Sequence, residues 1–259
     1  MTTTALALAV AWPQEADGGV RPVVVEANVW GGDLATRCGA PHTPGLLDVA
    51  AAARQPQPGS LLGAVAELPF GVRAVVAPAG RGPCGEAVRV LTGESGRRVL
   101  TGEPDDRGTV FLDVGRIDEG AAGLLGAADH VMLVTRGCPE ALTHVYAHLL
   151  GVDEQLRQVT LVVVGPCQFP AQEITQALGV ERIVFLPWDA KTVAAMRSHR
   201  RITLRTSGFR TPPLMAAAHV LARQISGADC QASVPEQQTG VVRQMRAALV
   251  EAPAERGGV

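Results

Sequence analysis

Short, uninterrupted apolar runs recur along the chain at Val23–Val25, Ala74–Val76, Val110–Leu112, Val131–Val134, Leu161–Val164 and Ile183–Leu186, each bounded by Gly, Pro or a charged residue. They are rich in valine and show no polar alternation. Strands that read this way are buried on both faces, as in a parallel sheet covered by helices. Helix-compatible stretches lie between and after them at Leu46–Ala53, Cys138–Leu150, Ala171–Leu178, Thr192–Met196 and, after the Pro212-Pro213 pair, Leu214–Ile225. Strand and helix alternate, which predicts an α/β fold with a doubly wound, mainly parallel sheet flanked by helices.

Other segments give weaker patterns. Arg81–Arg107 is dense in glycine and charge and predicts a weak edge element or a connecting loop. Residues 1–226 are expected to form one domain, 227–240 a polar linker, and 241–259 a short helix and tail, with Val241, Val242, Met245, Ala248 and Leu249 on one helical face. The opening Met-Thr-Thr-Thr-Ala-Leu-Ala-Leu-Ala-Val-Ala-Trp is a helix with almost no polar face, so it must be buried. Threonines at a helix start are ordinary caps. They also suit a phosphate site, where backbone N–H groups and the helix dipole attract the anion.

Composition narrows the function classes. The 259 residues carry a formal net charge of −2, which lacks the basic excess that a dedicated nucleic-acid binder needs. Five cysteines, Cys38, Cys84, Cys138, Cys167 and Cys230, are widely spaced without a CxxC, which points to reduced thiols in a cytoplasmic protein rather than zinc or a disulfide framework. His144 and His148 stand one helical turn apart but have no glutamate beside them, so a metal pair is disfavoured. No G-x-S-x-G elbow is present, and no G-x-G-x-x-G directly follows the first apolar run, Val23–Val25.

Several segments, taken in order, resemble the MinD/ParA group of P-loop ATPases, of the deviant-Walker class. MTTTALALA is similar to the run after the glycines of the phosphate loop. VVVEANVWGGDLA resembles the second strand with its Asp-x-Asp turn, with Glu26 and Asn28 in the acidic positions. TVFLDVG resembles the Walker B strand, ending in Asp113 with Gly115 beyond. ADHVMLVTRGCPEAL resembles the next strand and turn, and LPWDAKTVAAM the Pro-x-Asp segment near the adenine, at Pro187 and Asp189.

The resemblance implies a nucleotide site for ATP and Mg²⁺. Thr2, Thr3, Gly115, Pro187 and Asp189 would lie against the nucleotide, Thr2 and Asp113 would hold the metal, and Glu26 and Asn28 would stand in the catalytic turn. It also implies a homodimer acting with protein partners in a positioning or assembly machine, for chromosome partitioning, septum placement or pilus and secretion assembly. The departures imply weak or absent hydrolysis. Met1 stands where the phosphate-binding lysine belongs, the preceding glycines and the first strand are missing, and Asn28 is an amide that cannot accept a proton.

A second expectation is therefore a non-enzymatic pseudo-ATPase that serves as a scaffold or localisation factor. The missing strand belongs in mid-sheet beside the Walker B strand, and its loss predicts exposed flanks, poor stability and an in-frame upstream segment encoding the strand and loop. Asp33 is expected as a helix N-cap. Where the family often carries an Asn near adenine, Gly165-Pro166 follows the strand, which weakens any purine selectivity. Arg197, His199, Arg200, Arg201, Arg205 and Arg210 form a basic cluster that would accept DNA phosphates or serve as a solvated face. The C-terminal helix lacks an aromatic anchor, so membrane association is not expected.

Overall fold

The computed structural model describes residues 1–56, 59–102, 108–149, 159–198 and 211–227, and the backbone of 244–251. The chain opens on α1 (Thr2–Ala11) and enters β1 (Val23–Glu26), followed by α2 (Leu34–Cys38) and α3 (Leu46–Ala53). Next come β2 (Ala66–Glu67), β3 (Arg73–Val75), α4 (Arg81–Thr92), α5 (Glu94–Thr101), β4 (Thr109–Arg116) and α6 (Ala122–Leu125). The second half runs β5 (Val131–Arg136), α7 (Pro139–Leu149), β6 (Thr160–Val164), α8 (Ala171–Leu178), β7 (Arg182–Leu186), α9 (Ala190–Met196), α10 (Pro213–Ser226) and β8 (Gln244–Glu251). All six apolar runs are strands, and the predicted helices form within a few residues of their expected bounds.

The strands build one sheet of order β2-β3-β1-β4-β8-β5-β6-β7, parallel except for the short β2–β3 edge pair. Successive residues face opposite layers, as the strand period requires. Val110, Leu112 and Val114 of β4 join the core under α3, α4 and α7, whereas Phe111 joins the core under α1, α9 and α10. Both faces are thus covered, which is why the strands lack polar alternation. The apolar α1 lies in the second layer with Ala5, Leu6, Ala7 and Leu8 buried, and Trp12 closes its end edge-on to Phe111 at 5.2 Å. The Trp12 indole N–H and the Thr109 hydroxyl both donate to Asp17, each at 2.8 Å, so the buried carboxylate is satisfied.

Two expectations are corrected. Arg81–Arg107 was expected to be an edge element or loop, but its first part forms α4 and α5. Cys84, Ala87, Val88 and Leu91 recur at helical spacing and are buried, and Pro83 sits in the first turn, where its missing N–H is harmless. The expected C-terminal helix is instead β8. It pairs in parallel with β4 (Leu112 with Ala248, Asp113 with Leu249) and with β5 (Val131 with Ala248, Val134 with Glu251).

The gap foreseen beside the Walker B strand is therefore filled, and the foreseen open flanks of β4 and β5 are paired. Two facing rows of unpaired backbone groups outweigh a weak helical pattern in an eight-residue segment. The rest of the expected 227–240 linker, beyond Gly227, lies outside the described residues.

Candidate functional site

Glu26 ends β1, and its register partner on the adjacent strand β4 is Asp113. Both are 97 % withdrawn from solvent, with 3 % exposure each. The two carboxylates nevertheless have different surroundings. Glu26 is saturated by backbone donors: Asp33 and Leu34 N–H reach Oε1 at 2.9 and 3.0 Å, and Ala77 N–H reaches Oε2 at 2.9 Å. It clamps the loop after β1 to the loop after β3. Gly32 crosses directly over the carboxylate, where any Cβ would overlap its oxygens. Burial nonetheless pushes the Glu26 carboxyl up to about 7, against the three N–H donors and with a smaller push from the Asp113 charge.

Asp113 is the less satisfied of the two. Burial raises its carboxyl pKa, opposed chiefly by the Thr2 hydroxyl and also by the Gly115 N–H. Its Oδ1 is buried without a hydrogen-bond partner. An orphaned buried carboxylate oxygen is costly unless something occupies it. Thr2 and Thr3 begin α1 directly beside it, and no side chain caps that ten-residue helix.

These residues line a cavity of about 550 Å³ at the carboxyl edge of the sheet. Thr2, Thr3, Glu26, Asn28, Asp113 and Gly115 all border it, so one space gathers the residues expected at the metal, phosphate and catalytic positions. Pro187 and Asp189 do not border it. The residue between them, Trp188, does, together with Arg197. Asp189 is the N-cap of α9, accepting from the Thr192 N–H at 3.1 Å and its hydroxyl at 2.7 Å. Asp33 occupies the N-cap position of α2 without a side-chain cap bond and pairs instead with Arg37 at 2.5 Å.

Asn28 is engaged too. Its Oδ1 accepts from the Trp30 N–H at 3.0 Å, and Gly115 packs so closely on its amide that a Cβ there would collide. Gly115 also has φ of +77°, a conformation that favours glycine.

Sequence reasoning passed over Trp30, Trp188, Arg37 and Arg116, which also border the cavity. Trp188 stands between Pro187 and Asp189, and Arg116 follows Gly115 directly. Their exposure was the missing signal, and it depends on the folded surface. Of the basic cluster, only Arg197 is described; His199, Arg200, Arg201, Arg205 and Arg210 lie outside the described residues. Among the described residues no cluster of three metal-binding side chains is found, and no helix is long and apolar enough to cross a membrane.

The donor set fits a hard divalent cation. Mg²⁺ takes one or two carboxylates plus phosphate and water oxygens rather than a full protein cage. Asp113 and the Thr2 hydroxyl are such a partial set, and the α1 N-terminus suits phosphate.

No protein-family model matches the sequence, and no curated relative matches it. Solved structures do match. A ParA family ATPase from Chlorobium tepidum TLS superposes with a TM-score of 0.65 at 18% identity, covering 85% of this chain and 91% of its own. The septum site-determining protein MinD from Pyrococcus horikoshii OT3, complexed with Mg-ADP, gives 0.63 at 14% identity over 90% and 93%. A chain of the MinC:MinD cell division protein complex of Aquifex aeolicus gives 0.62 at 16% identity over 93% and 94%. This chain has the ParA/MinD fold. At these identities the likeness is one of architecture, and the ParA/MinD fold it establishes accounts for the parallel sheet and for its helices on both faces.

Proposed function

We propose that this chain is a nucleotide-binding switch of the MinD/ParA kind that takes ATP with Mg²⁺, hydrolyses it slowly or not at all, and works in the cytoplasm as a homodimer. Its role would be to position a cellular machine such as the septum, a partitioning chromosome or a pilus assembly. The observation that carries the reading is Asp113: a buried carboxylate with one unpartnered oxygen, touched by the first hydroxyl of α1, at the base of an open cavity. A bound divalent cation would neutralise charge on phosphate oxygens there. The chain's own part is to hold it through Asp113 and Thr2 and to present the first N–H groups of α1 to the phosphates.

Slow turnover follows from the turn after β1. Asn28 is an amide that cannot act as a base and gives its carbonyl oxygen to the Trp30 N–H, and Glu26 is held by three backbone N–H donors in the clamp between two loops. A neighbour of the same fold is complexed with Mg-ADP and another comes from a MinC:MinD complex, which supports a nucleotide ligand and protein partners.

The second reading, a scaffold without nucleotide, is favoured by Met1, which stands at the helix start where the resemblance calls for lysine. Calorimetry with Mg-ATP, paired with a phosphate-release assay, separates the two. Binding without phosphate release selects the non-hydrolysing switch. Turnover lost in Asp113→Ala selects an enzyme. Absence of any nucleotide binding selects the scaffold.

A further inference from the structure

Four cysteines lie among the described residues, and their surroundings divide them into two kinds. Cys38 and Cys84 are buried in opposite layers of the sheet, and burial pushes both thiols up, Cys38 to about 11. Neither forms a thiolate readily at neutral pH, so both are inert. Cys138 and Cys167 are only partly buried. They belong to different turns, one after β5 and the other after β6. Those two strands are neighbours that run side by side to their last residues, where Arg136 is matched to Val164.

The two turns touch at Gly137. A Cβ added there would overlap the Pro166 carbonyl oxygen and lie 2.5 Å from the Cys167 Cβ and 2.8 Å from its Cα. The missing side chain is what lets Cys167 sit against the β5 turn, and Cys138 is the next residue along. One Cα step of about 3.8 Å from Gly137 leaves the two cysteine Cα atoms at most about 8 Å apart. Bridged cysteines have Cα atoms about 4.4–6.8 Å apart, so little or no backbone movement separates this pair from a bond. The Cys167 thiol donates a long bond, 3.6 Å, to the Phe169 carbonyl, and a thiol is a weak donor that gives up such a contact at little cost.

We propose that Cys138 and Cys167 are a reversible dithiol–disulfide pair, oxidised by low-molecular-weight disulfides, whose bond staples the turn after β5 to the turn after β6. One thiolate of the pair attacks a sulfur of the small disulfide and expels its other half. The second thiolate then attacks the protein sulfur of the mixed disulfide and expels the remaining half. Two protein thiols give up two electrons and two protons, and the small disulfide takes both to become two thiols. In a reducing compartment a bond of this kind is transient and reports redox state, and it needs no CxxC because the neighbouring strands supply the proximity.

The test exposes the full, reduced chain to mixtures of reduced and oxidised glutathione, then traps the remaining thiols with N-ethylmaleimide in denaturant and digests with trypsin. Cleavage after Arg136, Arg157 and Arg182 puts Cys138 on residues 137–157 and Cys167 on residues 158–182, so the bond appears in mass spectrometry as one linked peptide. Wild type is expected to yield that peptide from monomeric chain, with the loss of two trappable thiols, full reversal by dithiothreitol, and Cys38 and Cys84 still labelled by the maleimide. Cys138→Ser and Cys167→Ser should each lose the linked peptide and carry a glutathione adduct on the cysteine that remains. Separate adducts on Cys138 and Cys167 of wild type with no bond between them, a bond from either to Cys230 or to a second chain, or no oxidation of the pair at all, overturns the proposal.

Discussion

Glu26 and Asp113 face each other as register partners on adjacent parallel strands, both buried, and both with carboxyls held above their ordinary range by desolvation. For Glu26 the rise is from 4.5 to about 7. Between those values the unfolded chain has released this proton while the folded protein keeps it. Stability therefore falls as pH rises across the window and levels off above it. The Glu26 share is on the order of 3 kcal/mol, at about 1.4 kcal/mol per pKa unit, and Asp113 acts in the same sense. Urea unfolding between pH 4.5 and 8 should show this slope, and Glu26→Gln should flatten it.

Asp113 makes a sharper case. Asp113→Asn keeps the side chain's shape and removes a buried charge whose Oδ1 has no partner. At pH 8 the variant should be more stable than wild type, because the amide carries no charge to desolvate. It should also lose the part of ATP affinity that depends on Mg²⁺. Thermal melts with and without Mg-ATP measure both, and a variant still stabilised by Mg-ATP as strongly as wild type would count against Asp113 as the metal holder.

Gly115 is constrained twice, by φ of +77° and by contact with the Asn28 amide. Gly115→Ala should cost about 1–3 kcal/mol of stability through backbone strain alone, with a further loss as Asn28 is pushed from Trp30. The Asn28→Gly background relieves the collision but not the strain, so comparing chemical denaturation of the single and double variants separates the two effects.

Asp189 offers a control for the Pro-x-Asp resemblance. Its carboxylate is occupied in capping α9, and the residue does not border the cavity. Asp189→Ala should lower stability by about 1 kcal/mol and change ATP affinity only slightly, as read by melting and calorimetry. A large loss of affinity with unchanged stability would place Asp189 at the ligand instead.

These cases show what was legible in the sequence. Buried parallel strands announce themselves as valine-rich runs because both faces are dry, so Val23–Val25 and Leu161–Val164 could be read directly. Asp113 and Thr2 were found because a carboxylate at a strand end and hydroxyls at a helix start are local patterns. What lay hidden was set by distant partners. Glu26 as a clamp depends on Ala77, 51 residues away. Trp188 borders the cavity across from the first turn of α1, a proximity that only the folded chain creates. The last strand was misread because its apolar spacing suits a helix, while its structure is dictated by unpaired backbone on β4 and β5.

The pairing of β8 is open to a direct check. Ala248 is matched to Leu112 on one side and Val131 on the other. Proline there has no N–H for the ladder and cannot be sent to an edge. Ala248→Pro should cost about 3 kcal/mol or more and lower the urea midpoint accordingly, whereas a helical C-terminal segment packed elsewhere would leave the β4–β5 region unaffected.

The position of β8 also governs when this protein can fold. On a ribosome, the groups β2-β3-β1-β4 and β5-β6-β7 emerge first, as two half-sheets that share no direct strand pairing. Each then exposes an apolar edge open to wrong partners. Only after residues 244–251 leave the exit tunnel can a single segment zip the halves together, so completion of the sheet waits for its last strand.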